Sequence, residues 1–333
     1  MRIRRMLALG ASTLVLFSAC ATGGGSSTSP SSSAGSPVAS SSGSQTSSAS
    51  ATATAAPPTV KIGSAGFYEV KIVAEIYAEA LEAKGYKVDR VGIGLGTRDV
   101  TNPALESGQI DLEPEYIGSE LAAYDPGKQT GDPQENLTNL QAVLATKGGG
   151  ITVLPFSPAA DQNAFVVRPE TASQFNLKTL SDTTAVQDQL KWGLATDCKT
   201  NPVCAAALKS AYGLQPKNVT YLSACDTPMA QALLSKTIDV GELCSTQPDI
   251  SKNGWTVLQD DKQTQPADNI APLVRNDLLA KMPDQDAFEA VLNAVSAKLT
   301  TAALTQLNAA FTFDNKDVND IAAGWLKDNG LDH

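Results

Sequence analysis

Apolar residues change their spacing along the chain, and the changes divide it into regions. Between 6 and 17 they run almost unbroken, from 21 to 58 they nearly vanish, and from 59 onward strand-like and helix-like spacings alternate. Residues 60–67 read as a strand ending in the turn Gly63-Ser64-Ala65-Gly66. Ile72, Val73, Ile76, Tyr77, Ala80 and Leu81 then recur at helical spacing, predicting a helix that stops near Gly85. A second strand over 86–94, a helix over 97–108 and a short third strand over 109–112 follow. Strand and helix in alternation predict an α/β fold with a parallel sheet.

A helix over 136–147 and a strand over 151–155 come next, and the polar stretch 157–161 leads into another strand at 164–168. A crossing into a second lobe is placed there. The α/β pattern then starts again: strand 190–195, helix 204–212, strand 219–223, helix 229–236 and strand 240–244. Past Leu258 the chain runs through Pro266 and Pro272, with 270–275 as a return strand. Helices over 288–299, 301–308 and 318–327 are expected to pack back on the first lobe, and Trp192, Trp255 and Trp325 to be core residues. The expected organisation is a leader over 1–20, a tether over 21–58, a first lobe over 59–160, a second over 161–268, and the remainder of the first over 269–333. No internal repeat is visible.

The leader carries Arg2, Arg4 and Arg5 before its apolar run and ends Phe17-Ser18-Ala19-Cys20. It is a secretory signal, too short to span a bilayer. The small residues before Cys20 resemble a bacterial lipobox, with Phe17 where such sites usually carry leucine. That resemblance implies a lipid on the Cys20 thiol, and hence an extracytoplasmic protein anchored to the cell membrane. The tether is nearly all Ser, Ala, Gly, Thr and Pro without a charge, so it is expected to stay disordered. Its expected span is roughly 30 to 40 Å.

The formal charge is -10, and loss of the leader's three arginines makes the chain more acidic still. Such a surface excludes nucleic acid as a partner and electrostatic attachment to anionic lipid. Besides Cys20, an even set remains: Cys198, Cys204, Cys225 and Cys244. In an exported protein these predict two disulfides, with three pairings possible. Cys198 with Cys204 and Cys225 with Cys244 are favoured, because each pair joins neighbours within one segment. No metal is expected, since the only histidine is the terminal His333.

Without an internal histidine there is no Ser/His/Asp or Cys/His set, and an enzyme is not expected. Gly92-Ile93-Gly94-Leu95-Gly96 lacks the dinucleotide spacing and reads as a turn, so no cofactor is expected. Glu113 with Glu115, and Asp260 with Asp261, read as solvated or capping carboxylates.

A series of phrases carries more. Gly63-Ser64-Ala65 precedes one amphipathic helix and Leu95-Gly96-Thr97-Arg98 the next. Then come Pro103-Ala104-Leu105-Glu106-Ser107-Gly108-Gln109-Ile110-Asp111-Leu112 and, directly after, Pro114-Glu115-Tyr116-Ile117-Gly118. Tyr212-Gly213-Leu214, Leu258-Gln259-Asp260-Asp261 and Pro272-Leu273-Val274 follow in the same order. Over about 60–331 the chain resembles the osmoprotectant-binding proteins of ABC transporters, which take glycine betaine, choline or carnitine. The resemblance implies a type II periplasmic binding protein: two α/β lobes, two interlobe crossings and a cleft that closes over a small molecule. It also implies a monomer that delivers its ligand to an ABC permease and ATPase.

Members of that family box a quaternary ammonium between aromatic faces, because the cation is drawn to ring quadrupoles and has no hydrogen to donate. By position, Tyr116 matches a box residue, Ser119 a carboxylate-contacting threonine, and Asp161 a cleft position. Asn163 and Cys244 stand where aromatics are expected, and Asn201 where many members place a carboxylate-binding arginine. Tyr68, at the end of the first strand, is a further candidate wall, while Phe67 is expected to pack beneath the helix. Asn163, Thr246 and Gln247 would give a more polar cleft, suited to a neutral hydroxylated ligand. Two alternatives therefore stand beside an osmoprotectant receptor: one for a hydroxylated or aromatic ligand, and a ligand-sensing lipoprotein of the same fold.

Overall fold

The computed structural model describes residues 56–333. The leader with Cys20, and the tether as far as 55, lie outside the described residues. The chain opens with β1 (Val60–Ala65), α1 (Tyr68–Ala83), β2 (Val88–Gly96), α2 (Arg98–Ser107), β3 (Leu112–Tyr116), α3 (Ile117–Tyr124), α4 (Pro133–Leu144) and β4 (Ile151–Val153). A second group comprises β5 (Asn163–Val167), α5 (Pro169–Phe175), β6 (Trp192–Ala195), β7 (Val219–Leu222), α6 (Thr227–Leu234), β8 (Val240–Cys244), α7 (Asp249–Lys252) and β9 (Thr256–Val257). The chain then returns through β10 (Ile270–Arg275) and ends in α8 (Asn276–Leu279), α9 (Gln285–Lys298), α10 (Thr301–Thr312) and α11 (Val318–Asn329).

These strands make two five-stranded sheets, β2-β1-β3-β10-β4 in lobe 1 and β7-β6-β8-β5-β9 in lobe 2. Both are mixed, where the sequence predicts a parallel sheet. β2, β1 and β3 are parallel, as are β7, β6 and β8, but β10 runs antiparallel to β3 and β4, and β5 antiparallel to β8 and β9. The reversed strands are the two that follow the crossings. A strand arriving from the other lobe enters its sheet from the cleft side, so it must run against strands whose C-terminal ends face the cleft.

The third strand also departs from expectation, spanning Leu112–Tyr116 instead of 109–112. Gly108 caps α2 in the left-handed conformation, and the N–H groups of Gln109 and Ile110 both bond back to Ala104 O. The chain is still finishing the helix there, and pairing with β1 begins only at Ile62↔Leu112. The expected helix over 204–212 is wound instead as two π-type turns, Pro202–Ala206 and Leu208–Tyr212.

Helix α1 is buried on nearly every side, with Ile72, Ile76 and Tyr77 all fully inaccessible. So wide an apolar face must be covered to be stable, and α9, α10 and α11 supply that cover through Leu292, Leu304 and Ile321. Each such side chain contributes on the order of 1.5 to 3 kcal/mol by leaving water. The hydroxyl of Tyr77 is satisfied by Ser296 at 2.8 Å. Trp192 and Trp255 are buried in lobe 2, and Trp325 packs partly buried on the lobe-1 core.

Candidate functional site

In both sheets the parallel strands end on the same side, and the loops that follow them face one another. β1 ends at Ala65 and turns through Gly66 and Phe67 into α1, while β2 ends at Gly96 before Thr97 and Arg98 start α2. The two turns are tied together by Gly66 N–H donating to Gly96 O at 2.8 Å, with Gly96 at a φ of 144° that a side chain would strain. Opposite them, β6 leads into Thr196 and Asp197, and β7 into Ser223, Ala224 and Cys225. Between the lobes lies a cleft of about 270 Å³. A recess of about 170 Å³ shares Arg98, Asp197 and Asn201 with it and reaches Ser119. A crevice beyond the carboxyl ends of parallel strands is where α/β sheets bind ligands.

The lobe-1 wall rests on buried charge. Arg98 donates through Nη2 to Glu115 Oε2 at 2.6 Å and through Nε to Glu120 Oε2 at 3.0 Å. Ser119 donates its backbone N–H to Asp268 Oδ1 at 2.7 Å, and its hydroxyl bonds the second oxygen. Burial, helped by the charge of Glu115, pushes Glu120 up to about 8, and burial pushes Asp268 up to about 6. Glu113 is buried with both oxygens unpartnered, and burial holds its carboxyl well above the usual range. The reading of Glu113 and Glu115 as solvated or capping groups is thus corrected: both are buried in the middle of a sheet, Glu113 with no hydrogen-bond partner and Glu115 on Arg98. Gly118 belongs to the same wall, because a Cβ there would meet Ala267 O at 2.6 Å.

Behind the cleft the two crossings run side by side, with Ala160 bridged to Asn269 and Asp161 N–H donating to Asp268 O at 3.0 Å. Glu69 of α1 lies buried against them. It accepts the hydroxyls of Tyr116, at 2.6 Å, and of Thr246, together with the amide of Asn308. Asp161 accepts Ser245 Oγ at 2.8 Å and Thr246 N–H at 2.9 Å. Burial raises the pKa of both carboxyls, and the charge of Glu69 adds to the rise at Asp161. Glu69 to Thr246 is a hydrogen bond from lobe 1 to lobe 2 at the hinge.

The lobe-2 wall carries Asp197, whose carboxylate accepts the Asn201 amide at 3.3 Å, and Glu242, which accepts Ala195 N–H at 2.7 Å. Burial, and then the charge of Asp197, push Glu242 up to about 7 against that N–H. Two disulfides flank these groups. Cys198–Cys204 closes the loop that holds Asn201, and Cys225–Cys244 joins the loop after β7 to the end of β8, the pairing favoured from the sequence. Glu242 lies close to the first pair and Asp161 to the second, but disulfide sulfurs offer no thiolate to a metal.

The structure distributes the candidate residues unevenly. Asn163 lines the cleft, donating to Gln265 Oε1 at 3.1 Å, and Ser119 lines the recess. Tyr116 lies behind Phe67, with ring centroids 5.9 Å apart, and is 5% exposed. Asp161, Thr246 and Gln247 are buried at the hinge, where Gln247 Oε1 accepts Cys244 N–H at 3.0 Å. Tyr68 is in the core on Phe311, at 5.1 Å, and Phe67 is at the cleft, the reverse of the expectation for these neighbours. The first residue of α1 turns its ring inward, and the residue before it caps the turn. Sequence reasoning passed over Arg98, Asp197 and Glu242. A glutamate inside the apolar strand Val240–Cys244 was the available signal.

The profile described as the substrate binding domain of ABC-type glycine betaine transport system matches residues 58–328. The glycine-betaine-binding protein of Pseudomonas aeruginosa is 25% identical over 288 residues, covering 83% of this chain and 90% of that protein. Glycine betaine-binding protein YehZ of Escherichia coli is 26% identical over 287 residues, covering 83% and 92%. Among solved structures, that of a glycine betaine/carnitine/choline ABC transporter matches with a TM-score of 0.64 at 23% identity, covering 82% of this chain and all of that one. The likeness establishes the two-lobe fold of type II periplasmic binding proteins.

Proposed function

This chain belongs to the family of substrate-binding domains of ABC-type glycine betaine transport systems, and from that membership we propose that it is an extracytoplasmic receptor delivering a small solute of the glycine betaine, choline and carnitine class to an ABC permease and its ATPase. The family is one of transport proteins and not of enzymes. The observation that carries the reading is the cleft itself, bounded by both lobes and backed by two adjacent crossings. A hinge of that kind works by population shift: the ligand binds the closed form better, and the permease reads the closed form.

In this reading Asn163 and Ser119 touch the ligand, while Tyr116, Asp161, Thr246 and Gln247 set the lobe angle from the hinge, and Tyr68 supports α1. The protein acts as a monomer, without cofactor or catalysis, and is held to the cell membrane by lipid on Cys20 through the tether over 21–58. No helix among the described residues is long and apolar enough to cross a membrane. A thermal-shift screen with betaine, choline and carnitine tests the receptor role. A binder at 100 times its Kd should stabilise by about 2.7 kcal/mol, and absence of any shift, with solute uptake intact in cells lacking the protein, would overturn it. Cys20→Ala should move the protein from the membrane to the soluble fraction; continued sedimentation with membranes would rule out the lipid anchor.

A further inference from the structure

Charge is divided unequally between the two walls. Arg98 is the only basic residue lining the cleft among the described residues, and its guanidinium is already shared by Glu115 and Glu120. No uncommitted cation on that side is left to receive a ligand carboxylate. On the lobe-2 side neither acid has a cationic partner among the described residues. Among the described residues the Asp197 carboxylate accepts only the Asn201 amide, and Glu242, 1% exposed, accepts the Ala195 N–H at 2.7 Å and lies 3.2 Å from the Cys204 disulfide sulfur, which has no hydrogen to donate. A buried carboxylate so poorly supplied with donors favours a ligand that brings charge and hydrogens together. Among the described residues Phe67 is the only aromatic ring on the cleft surface, too few faces to enclose a quaternary ammonium.

We infer that Asp197 and Glu242 are specificity-determining groups, selecting a small organic cation that carries N–H or O–H donors and lacks a carboxylate, such as a protonated amine or amino alcohol. The inference rests on the receptor reading and narrows it. A zwitterion such as glycine betaine brings its carboxylate into a cleft that already holds two acids, and its methylated nitrogen cannot donate to either. A donor-bearing cation satisfies both.

The test is calorimetric titration of the purified protein with ethanolamine, choline, glycine betaine and carnitine. Ethanolamine, with three N–H donors and a hydroxyl, should bind at least tenfold more tightly than choline, which keeps only the hydroxyl, and than the two zwitterions. Asp197→Asn and Glu242→Gln, which keep the shapes of the side chains, should each weaken ethanolamine binding about tenfold and shrink the gap to glycine betaine. Asp197 is at the cleft surface, so its variant serves if Glu242→Gln fails to fold. Glycine betaine binding as tightly as ethanolamine would overturn the inference while leaving the receptor reading in place, and so would a preference that survives both substitutions. Binding of none of the four overturns the inference, and the uptake assay then decides the receptor reading separately.

Discussion

The two walls of the cleft are held by different means. Lobe 1 fixes Arg98 and Ser119 through buried partners, Glu115 and Glu120 for the first and Asp268 for the second. Lobe 2 fixes the loops bearing Asn201 and Ser223 by Cys198–Cys204 and Cys225–Cys244. What lies beneath differs as well. The lobe-1 wall stands on the large core of α1 and the tail helices, whereas the lobe-2 loops sit over two smaller apolar clusters. A buried ionic network holds only if its members satisfy one another. A cross-link acts mainly by limiting the unfolded chain and asks nothing of the surroundings. A lobe with a modest core gains most from the second device.

The sharpest challenge to this contrast is Arg98→Ala, which leaves Glu115 and Glu120 buried without their cation. Urea unfolding of the unliganded protein should show a loss of about 3 to 5 kcal/mol. A loss below about 1 kcal/mol would mean that the carboxyls simply take up protons and that lobe 1 does not depend on ion pairing. Next in size is the Cys225→Ala/Cys244→Ala double variant. These cysteines are 19 residues apart, so removing the bond should cost about 3 kcal/mol. The pair 6 apart, Cys198 and Cys204, should cost about 2 kcal/mol. Both double variants should also bind ligand more weakly, since their loops form the wall. Unchanged affinity in both, measured by titration, would remove the disulfides from any role in the cleft.

A pH series, repeated on one variant, separates the lobes. Glu120, at about 8, and Asp268, at about 6, keep protons in the folded state that the unfolded chain gives up at lower pH, and Glu113 does so too. Stability from such groups is full below the unfolded pKa, about 4, and is lost as pH rises through the folded values. The unliganded melting temperature should therefore fall by a few degrees between pH 5 and pH 8.5. Lobe 2 contributes Glu242 at about 7, so Glu242→Gln should leave most of the slope in place. A flat or rising profile would contradict the burial of these acids in lobe 1. The smallest effect expected is that of Tyr116→Phe, which removes the 2.6 Å hydrogen bond to Glu69 but keeps the ring on Phe67. It should cost about 1 kcal/mol of stability and change affinity less than twofold. A larger loss of affinity in a titration would put the Tyr116 hydroxyl on the ligand.

How far the molecule could be read in advance varied with the range of the forces involved. Ile72, Ile76 and Leu81 at helical spacing, stopped by Gly85, were enough for α1, and Thr97 and Gly108 bracketed α2 closely. The strand-and-helix order and the phrases around Tyr116 carried the fold and the family. The bounds of β3 differ because Glu113 and Glu115 look like surface residues, whereas burial favours the protonated form of the first and Arg98, from another element, pairs with the second.

The sequence by itself determined the elements, their order and the two-lobe plan, since helical and strand periodicity are local properties that a few neighbouring residues express. Tertiary structure alone decided which side chains face the cleft. It turned Phe67 to the cleft and Tyr68 to the core, set Tyr116 behind Phe67, and brought Asp197 and Glu242 opposite Arg98. A cleft is made by segments far apart along the chain. Their facing depends on how two sheets are joined at a hinge, and the spacing within any one segment carries no trace of that.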